Sequence, residues 1–135
     1  MYLKQLTWAI LFLPVLSISG IAEQASSRPE GRYCGNVLHN GEFVYSEVEL
    51  VNAENGYLNG IMRYHDNDAV TEGTVEETKR DALHTRTIQW ADKYGYGFAI
   101  LNFNKDFSSF EGVWGTAIQT PRYTWTGKRC HDLTS

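Results

Sequence analysis

A chain of 135 residues with a formal net charge of −4 and no block of basic residues is excluded from holding a nucleic acid or an anionic membrane by a basic patch. Its length suits one domain with a modest core. Aromatic residues make up 13% of it, a large share for a chain of this size.

The N-terminus reads as a signal peptide over residues 1–22. Met1–Gln5 carries one positive charge, Lys4, and Leu6–Ile18 is apolar. Gly20 and Ala22 then place small residues where a signal peptidase cutting after Ala22 needs them. A membrane anchor is the competing reading. The apolar run is short of the ~20 residues that cross a bilayer as a helix, and Pro14 interrupts it. Export to a secreted or periplasmic location, without stable membrane insertion, is therefore expected.

The polar, aperiodic stretch Glu23–Gly31 reads as a flexible leader to a single domain over residues 32–135. From Arg32 onward, short runs rich in Val, Ile, Thr, Tyr, Phe and Trp alternate with turn signals. The predicted strands are Tyr33–His39, Glu42–Val51, Tyr57–His65, Val70–Glu76, Leu83–Trp90, Tyr96–Phe103, Ser109–Thr116 and Arg122–Arg129. The charged stretch Glu77–Asp81 divides the fourth from the fifth. Thr74–Leu83 is the best candidate for a helix, but it has too little apolar content for a buried face and reads as an exposed hairpin.

A weak repeat points to closure of the sheet. Leu58-Asn59-Gly60-Ile61-Met62, Thr71-Glu72-Gly73-Thr74-Val75, Phe110-Glu111-Gly112-Val113-Trp114 and Trp125-Thr126-Gly127-Lys128-Arg129 each hold a mid-strand glycine two residues from a large side chain. Such glycines mark bends and close packing where a sheet coils. The expected fold is all-β, an antiparallel up-and-down meander of about eight strands closing into a small barrel. Closure pairs the first strand with the last and makes neighbours of Cys34 and Cys130. An exported chain with two cysteines and no C-x-x-C spacing favours a disulfide between them over free thiols or a metal pair.

Phe110-Glu111-Gly112-Val113-Trp114-Gly115, followed by Trp125-Thr126-Gly127-Lys128-Arg129, resembles the closing hairpin of small exported bacterial β-proteins of unknown function. The glycine-punctuated meander resembles, more distantly, the avidin and lipocalin-like (calycin) barrels. That resemblance implies a barrel with a ligand-binding interior. Lipocalins carry Gly-x-Trp on their first strand; Cys34-Gly35-Asn36-Val37 has no tryptophan, and no site residue is carried over from either family.

Chemistry-bearing patterns are sparse. His39, His65, His84 and His131 show no metal-ligand spacing, Gly-x-Ser-x-Gly is absent, and no cofactor is expected. Asp66-Asn67-Asp68 offers hard oxygens to a cation, but it lacks the glycine and closing glutamate of an EF-hand and reads first as an Asx-type turn. Glu47 and Glu49 share a strand face opposite Val44, Ser46, Val48 and Leu50, so alternation turns the two acids outward.

The aromatic faces are the better clue. Phe110 and Trp114 share a face with Gly112, as do Tyr123, Trp125 and Arg129 with Gly127; Tyr64 aligns with Met62, and Phe98 with Tyr96 and Ile100. Pointed inward, they line either a filled core or a cavity. Tyr64, Phe98, Phe110, Trp114, Trp125 and Arg129 are the candidate ligand-binding residues, with Arg129 as a cation–π or stacking lid near Trp125. The function expected is non-enzymatic binding of a small apolar or aromatic molecule. The alternative is a protein-binding module, such as an inhibitor of a secreted or host enzyme, acting through Glu76–Asp81 or Ala117–Arg122. A hydrolase with an unrecognised site is a third, minor reading.

Overall fold

The structure, a computed structural model, describes residues 28–131 and the isolated Pro14. The cut after Ala22 and residues 23–27 of the expected leader lie outside the described residues. Eight strands follow one another: β1 Gly31–His39, β2 Glu42–Asn52, β3 Leu58–Asp66, β4 Ala69–Arg80, β5 Thr85–Asp92, β6 Gly95–Phe103, β7 Ser109–Thr116 and β8 Tyr123–Arg129. Each pairs antiparallel with the next, and β1 pairs with β8, so the meander is a closed barrel without a free edge.

Local chemistry sets the hairpins. Asn40 and Gly41 both take positive φ, 51° and 80°, in the two-residue turn between His39 and Glu42. Asn-Gly is favoured there because its left-handed backbone matches the twist of the strands it joins. Gly60, Gly73, Gly112 and Gly127, the repeated glycines, all lie in the inward alternation. A Cβ on Gly60 would stand 1.8 Å from the Glu49 carbonyl oxygen, so neighbouring backbone has already taken that space.

Two stretches differ from expectation. β4 runs through Glu77–Arg80 where a charged break was expected, with a bulge between Glu77 and Lys79. The reason is burial: Arg86 Nη1 donates to both Glu77 carboxylate oxygens, at 3.0 and 2.9 Å, and the Leu58 amide donates to Glu77 at 3.2 Å. Paired in this way, an acid can occupy an inward strand position. The second stretch is the start of β1. Gly31 already belongs to β1, and the carbonyls of Arg28 and Glu30 accept hydrogen bonds from Arg129.

Cys34 and Cys130 form a disulfide, with Cα atoms 5.6 Å apart, at the seam between β1 and β8. It fits an oxidising compartment. The two ends of the barrel differ. At one, Tyr33, Phe103, Phe107 and Phe110 interlock as a plug, every ring at most 6% exposed. The other end is open.

Candidate functional site

Four hairpins ring the open end: those after β1, β3, β5 and β7. Below them lies a cavity of about 690 Å³, within the size range of small-molecule sites. Its wall is built from inward residues in the upper half of the strands, including Val37, Ser46, Met62, Tyr64, Trp90, Trp114 and Trp125. Ala117 and Ile118 of the β7–β8 connection stand at the rim, with Ile118 97% exposed.

One recurring device keeps this half hollow. Four large aromatics here, Tyr64 and the three tryptophans, hydrogen-bond across one strand to the next but one, so they lie along the wall. Trp90 Nε1 on β5 donates to the Gly115 carbonyl on β7, at 3.0 Å. Trp114 Nε1 on β7 donates to the Leu38 carbonyl on β1, at 3.0 Å. Trp125 Nε1 on β8 donates to Ser46 Oγ on β2, at 3.2 Å. Tyr64 Oη on β3 donates to Asp92 Oδ2 at the end of β5, at 2.8 Å. The strand crossed has to leave room. A Cβ on Gly97 of β6 would lie 2.8 Å from Trp90 Nε1, and one on Gly73 of β4 would lie 3.0 Å from the Asp92 Cβ.

The rim carries a polar cluster centred on Asp66, which closes β3 and is 6% exposed. Its carboxylate accepts from Tyr94 Oη at 2.5 Å and from Thr71 Oγ1 at 3.0 Å, and it lies 3.1 Å from His39 Nε2. Lys93 Nζ is 3.7 Å away. Asp66 thus ties the β1–β2 and β5–β6 hairpins to its own. Donation from Tyr94, and then from His39, holds its carboxyl well below the usual range, at about 2. The Tyr64 phenol moves the other way: burial pushes it up, and the hydrogen bond to the Asp92 carboxylate adds to that. Asp92 also accepts the Tyr94 amide, at 2.8 Å, as an Asx-type turn.

Of the six residues singled out from the sequence, Tyr64, Trp114 and Trp125 line the cavity. The other three do not. Phe98 lies on the outward alternation, because β6 turns Gly97, Ala99, Leu101 and Phe103 inward. Phe110 is inward but belongs to the plug at the closed end, in edge contact with Tyr33 and Trp125. Arg129 also sits at the closed end, 5.0 Å over the Tyr33 ring, with Nε on the Phe107 carbonyl at 2.7 Å. It clamps the bottom of the barrel instead of covering a ligand beside Trp125.

Trp90, Asp92, His39 and Tyr94 were missed. Trp90 and Asp92 alternate inward on β5, a signal present in the sequence, but nothing local distinguishes that face from its opposite. Asp66 does end a strand that runs into a turn, with Asn67 in the left-handed conformation, φ 55°, but its carboxylate is taken by Tyr94, Thr71 and His39 at the rim. Glu47 does face outward, held 2.6 Å from Arg32, and Glu49 is exposed. Among the described residues no group of three His, Cys, Asp or Glu is placed to hold a metal ion. No protein-family model and no curated protein matches this sequence.

Proposed function

We propose that this chain is an exported, non-catalytic barrel that binds a small apolar or aromatic molecule in the cavity at its open end. The observation carrying this is the cavity itself: about 690 Å³, entered from one end, walled by Met62, Tyr64, Trp90, Trp114 and Trp125. Concave, largely aromatic sites with a few polar groups are the usual form of small-molecule sites. The N-terminal residues 1–22 and the disulfide support delivery to the periplasm or beyond.

The test is a titration with N-phenyl-1-naphthylamine, a neutral apolar fluorophore, in wild type and in a Met62→Trp variant that fills the cavity. Saturable enhancement in wild type, lost on filling, is expected. Enhancement equal in both proteins would place the dye elsewhere and sink the proposal.

A second reading, docking to another protein, is favoured by one feature, the nearly full exposure of Ile118 in the β7–β8 connection. Of the two loops considered for it, Glu76–Asp81 is largely strand, which leaves Ala117–Arg122. Ile118→Ser separates the readings. It weakens protein docking sharply and should leave dye binding nearly intact.

A further inference from the structure

We infer that the cavity selects organic cations, an aromatic or apolar body carrying an ammonium group, with Asp92 as the residue that meets the charge. This rests on the reading that the cavity takes a ligand and names the chemical class.

The first argument is an inventory of hydrogen-bond donors. All three indole N–H groups in the wall are consumed by the protein, on Gly115, Leu38 and Ser46. The hydroxyls of Tyr64, Tyr94 and Thr71 are spent on Asp92 and Asp66. The donors left over include the Ser46 hydroxyl in the wall and, nearer the rim, Asn67, Tyr96, Thr116 and the outer N–H groups of Arg63; between the three indoles a guest meets mainly aromatic surface, negative on its π faces, and the carboxylate of Asp92. Beside Trp90 and Trp114 an anion meets no free indole donor, whereas a group bearing N–H donors and positive charge meets the Asp92 carboxylate.

The second argument is charge balance. Asp66 has His39 and Lys93 beside it. Arg63, which also borders the cavity, is committed to Glu72 at 2.8 Å. Asp92 lies in the cavity wall, two residues beyond Trp90 on the same inward face, and among the described residues no Lys, Arg or His is ion-paired with it. Its two oxygens take one neutral donor each, the Tyr64 hydroxyl and the Tyr94 amide. A carboxylate accepts up to about four hydrogen bonds, so half of its capacity is open. An ammonium placed there completes an ion pair that the protein leaves unmade, and its hydrocarbon body falls against Trp90 and Trp114, whose rings meet edge to face at 5.6 Å. Such an aromatic lining also attracts cations directly.

The experiment is displacement of N-phenyl-1-naphthylamine at neutral pH by three probes of one shape: 2-phenylethylamine, a cation; 2-phenylethanol, neutral; and phenylacetate, an anion. The amine should compete best, about tenfold ahead of the alcohol, with the acid weakest, as an ion pair plus cation–π attraction would give. Asp92→Asn should erase the advantage of the amine over the alcohol, and an advantage retained in that variant overturns the inference. If the dye binds but amine and alcohol compete equally in wild type, the cation inference is overturned and the cavity reading survives. If the dye does not bind, both fall. Should Asp92→Asn fold poorly, judged by near-UV circular dichroism, the wild-type ranking decides. Raising the salt concentration then provides the second measurement: the advantage of the amine must shrink while binding of the alcohol holds, and a salt-independent ranking overturns the inference.

Discussion

The closed and open ends of this barrel are built from the same eight strands in the same inward alternation, yet one is solid and the other hollow. At the closed end, rings from β1, β6, β7 and the Asn104–Ser108 turn point at one another across the axis and meet at centroid distances of 5.4 to 5.8 Å. Phe107 is driven into that plug from a turn with φ 56°. A bulky residue is rarely found in that conformation, and here its carbonyl receives both Tyr33 Oη and Arg129 Nε. At the open end the rings bond sideways to the wall, and the axis stays clear. The lesson is that inward orientation does not distinguish a core from a cavity. Whether a ring has a polar tip that the wall can hold does: the open end uses tryptophans and a tyrosine bonded sideways, and the plug is three phenylalanines with one tyrosine.

The largest effect should come from the closed end's buried ion pair. Arg86→Met leaves the Glu77 carboxylate with the Leu58 amide and, as its one remaining cation among the described residues, Arg80, 3.3 Å away and 40% exposed. Losing one partner of a buried pair costs about 3–5 kcal/mol. Urea denaturation should show a loss of that size, most of it recovered in Arg86→Met/Glu77→Gln. A loss under ~1 kcal/mol would mean that Arg80 alone suffices and that the pair is not part of the solid end.

The comparison is sharpest between two aromatic residues of β7. Phe110→Ala removes a ring that is 2% exposed from the plug and should cost about 3–4 kcal/mol. Trp114→Ala removes a larger but half-buried ring that borders the cavity, and should cost only about 1–2 kcal/mol while lowering ligand affinity. Equal losses in thermal or urea unfolding would contradict a division into solid and hollow halves.

Breaking the disulfide should cost about 2–4 kcal/mol, mainly through the unfolded chain, since its 96-residue span closes nearly the whole domain. Because that effect acts on the unfolded state, ligand binding to the folded protein should not change after reduction. Weaker binding at a temperature where the reduced protein remains folded would show that the seam shapes the open end as well.

The smallest effects are those of pH, and they separate the ends by sign. Asp66 at the rim is held at about 2 against an ordinary 3.8, so its stabilisation is present above 3.8 and is lost as pH falls towards 2. Tyr33 in the plug is pushed up to about 12 from 10, chiefly by burial. A neutral buried phenol stabilises below pH 10, and that contribution disappears as pH rises through 12. Melting temperature followed against pH should therefore lose part of its acid limb in Asp66→Asn and part of its alkaline limb in Tyr33→Phe. An acid limb unchanged in Asp66→Asn would show that the rim cluster contributes nothing to folding.

Much of this was legible in the residues. A period of two with turn signals determined eight strands, and a meander of that length closing on itself determined that Cys34 and Cys130 would meet. Alternation also turned Glu47 outward and Tyr64, Phe110, Trp114 and Trp125 inward, because a strand has only two faces and a closed barrel buries one of them. Tertiary structure alone decided three things. It chose the inward face of β6, where the larger ring Phe98 stays outside because Trp90 already lies over Gly97. It decided the level along the axis at which each side chain sits, which put Phe110 and Arg129 in the plug and Trp114 beside the cavity. It also made inward positions of Glu77 and Asp92, acids whose partners come from other strands. Each of these depends on distances across the barrel between residues far apart in the chain, and local periodicity carries no record of such distances.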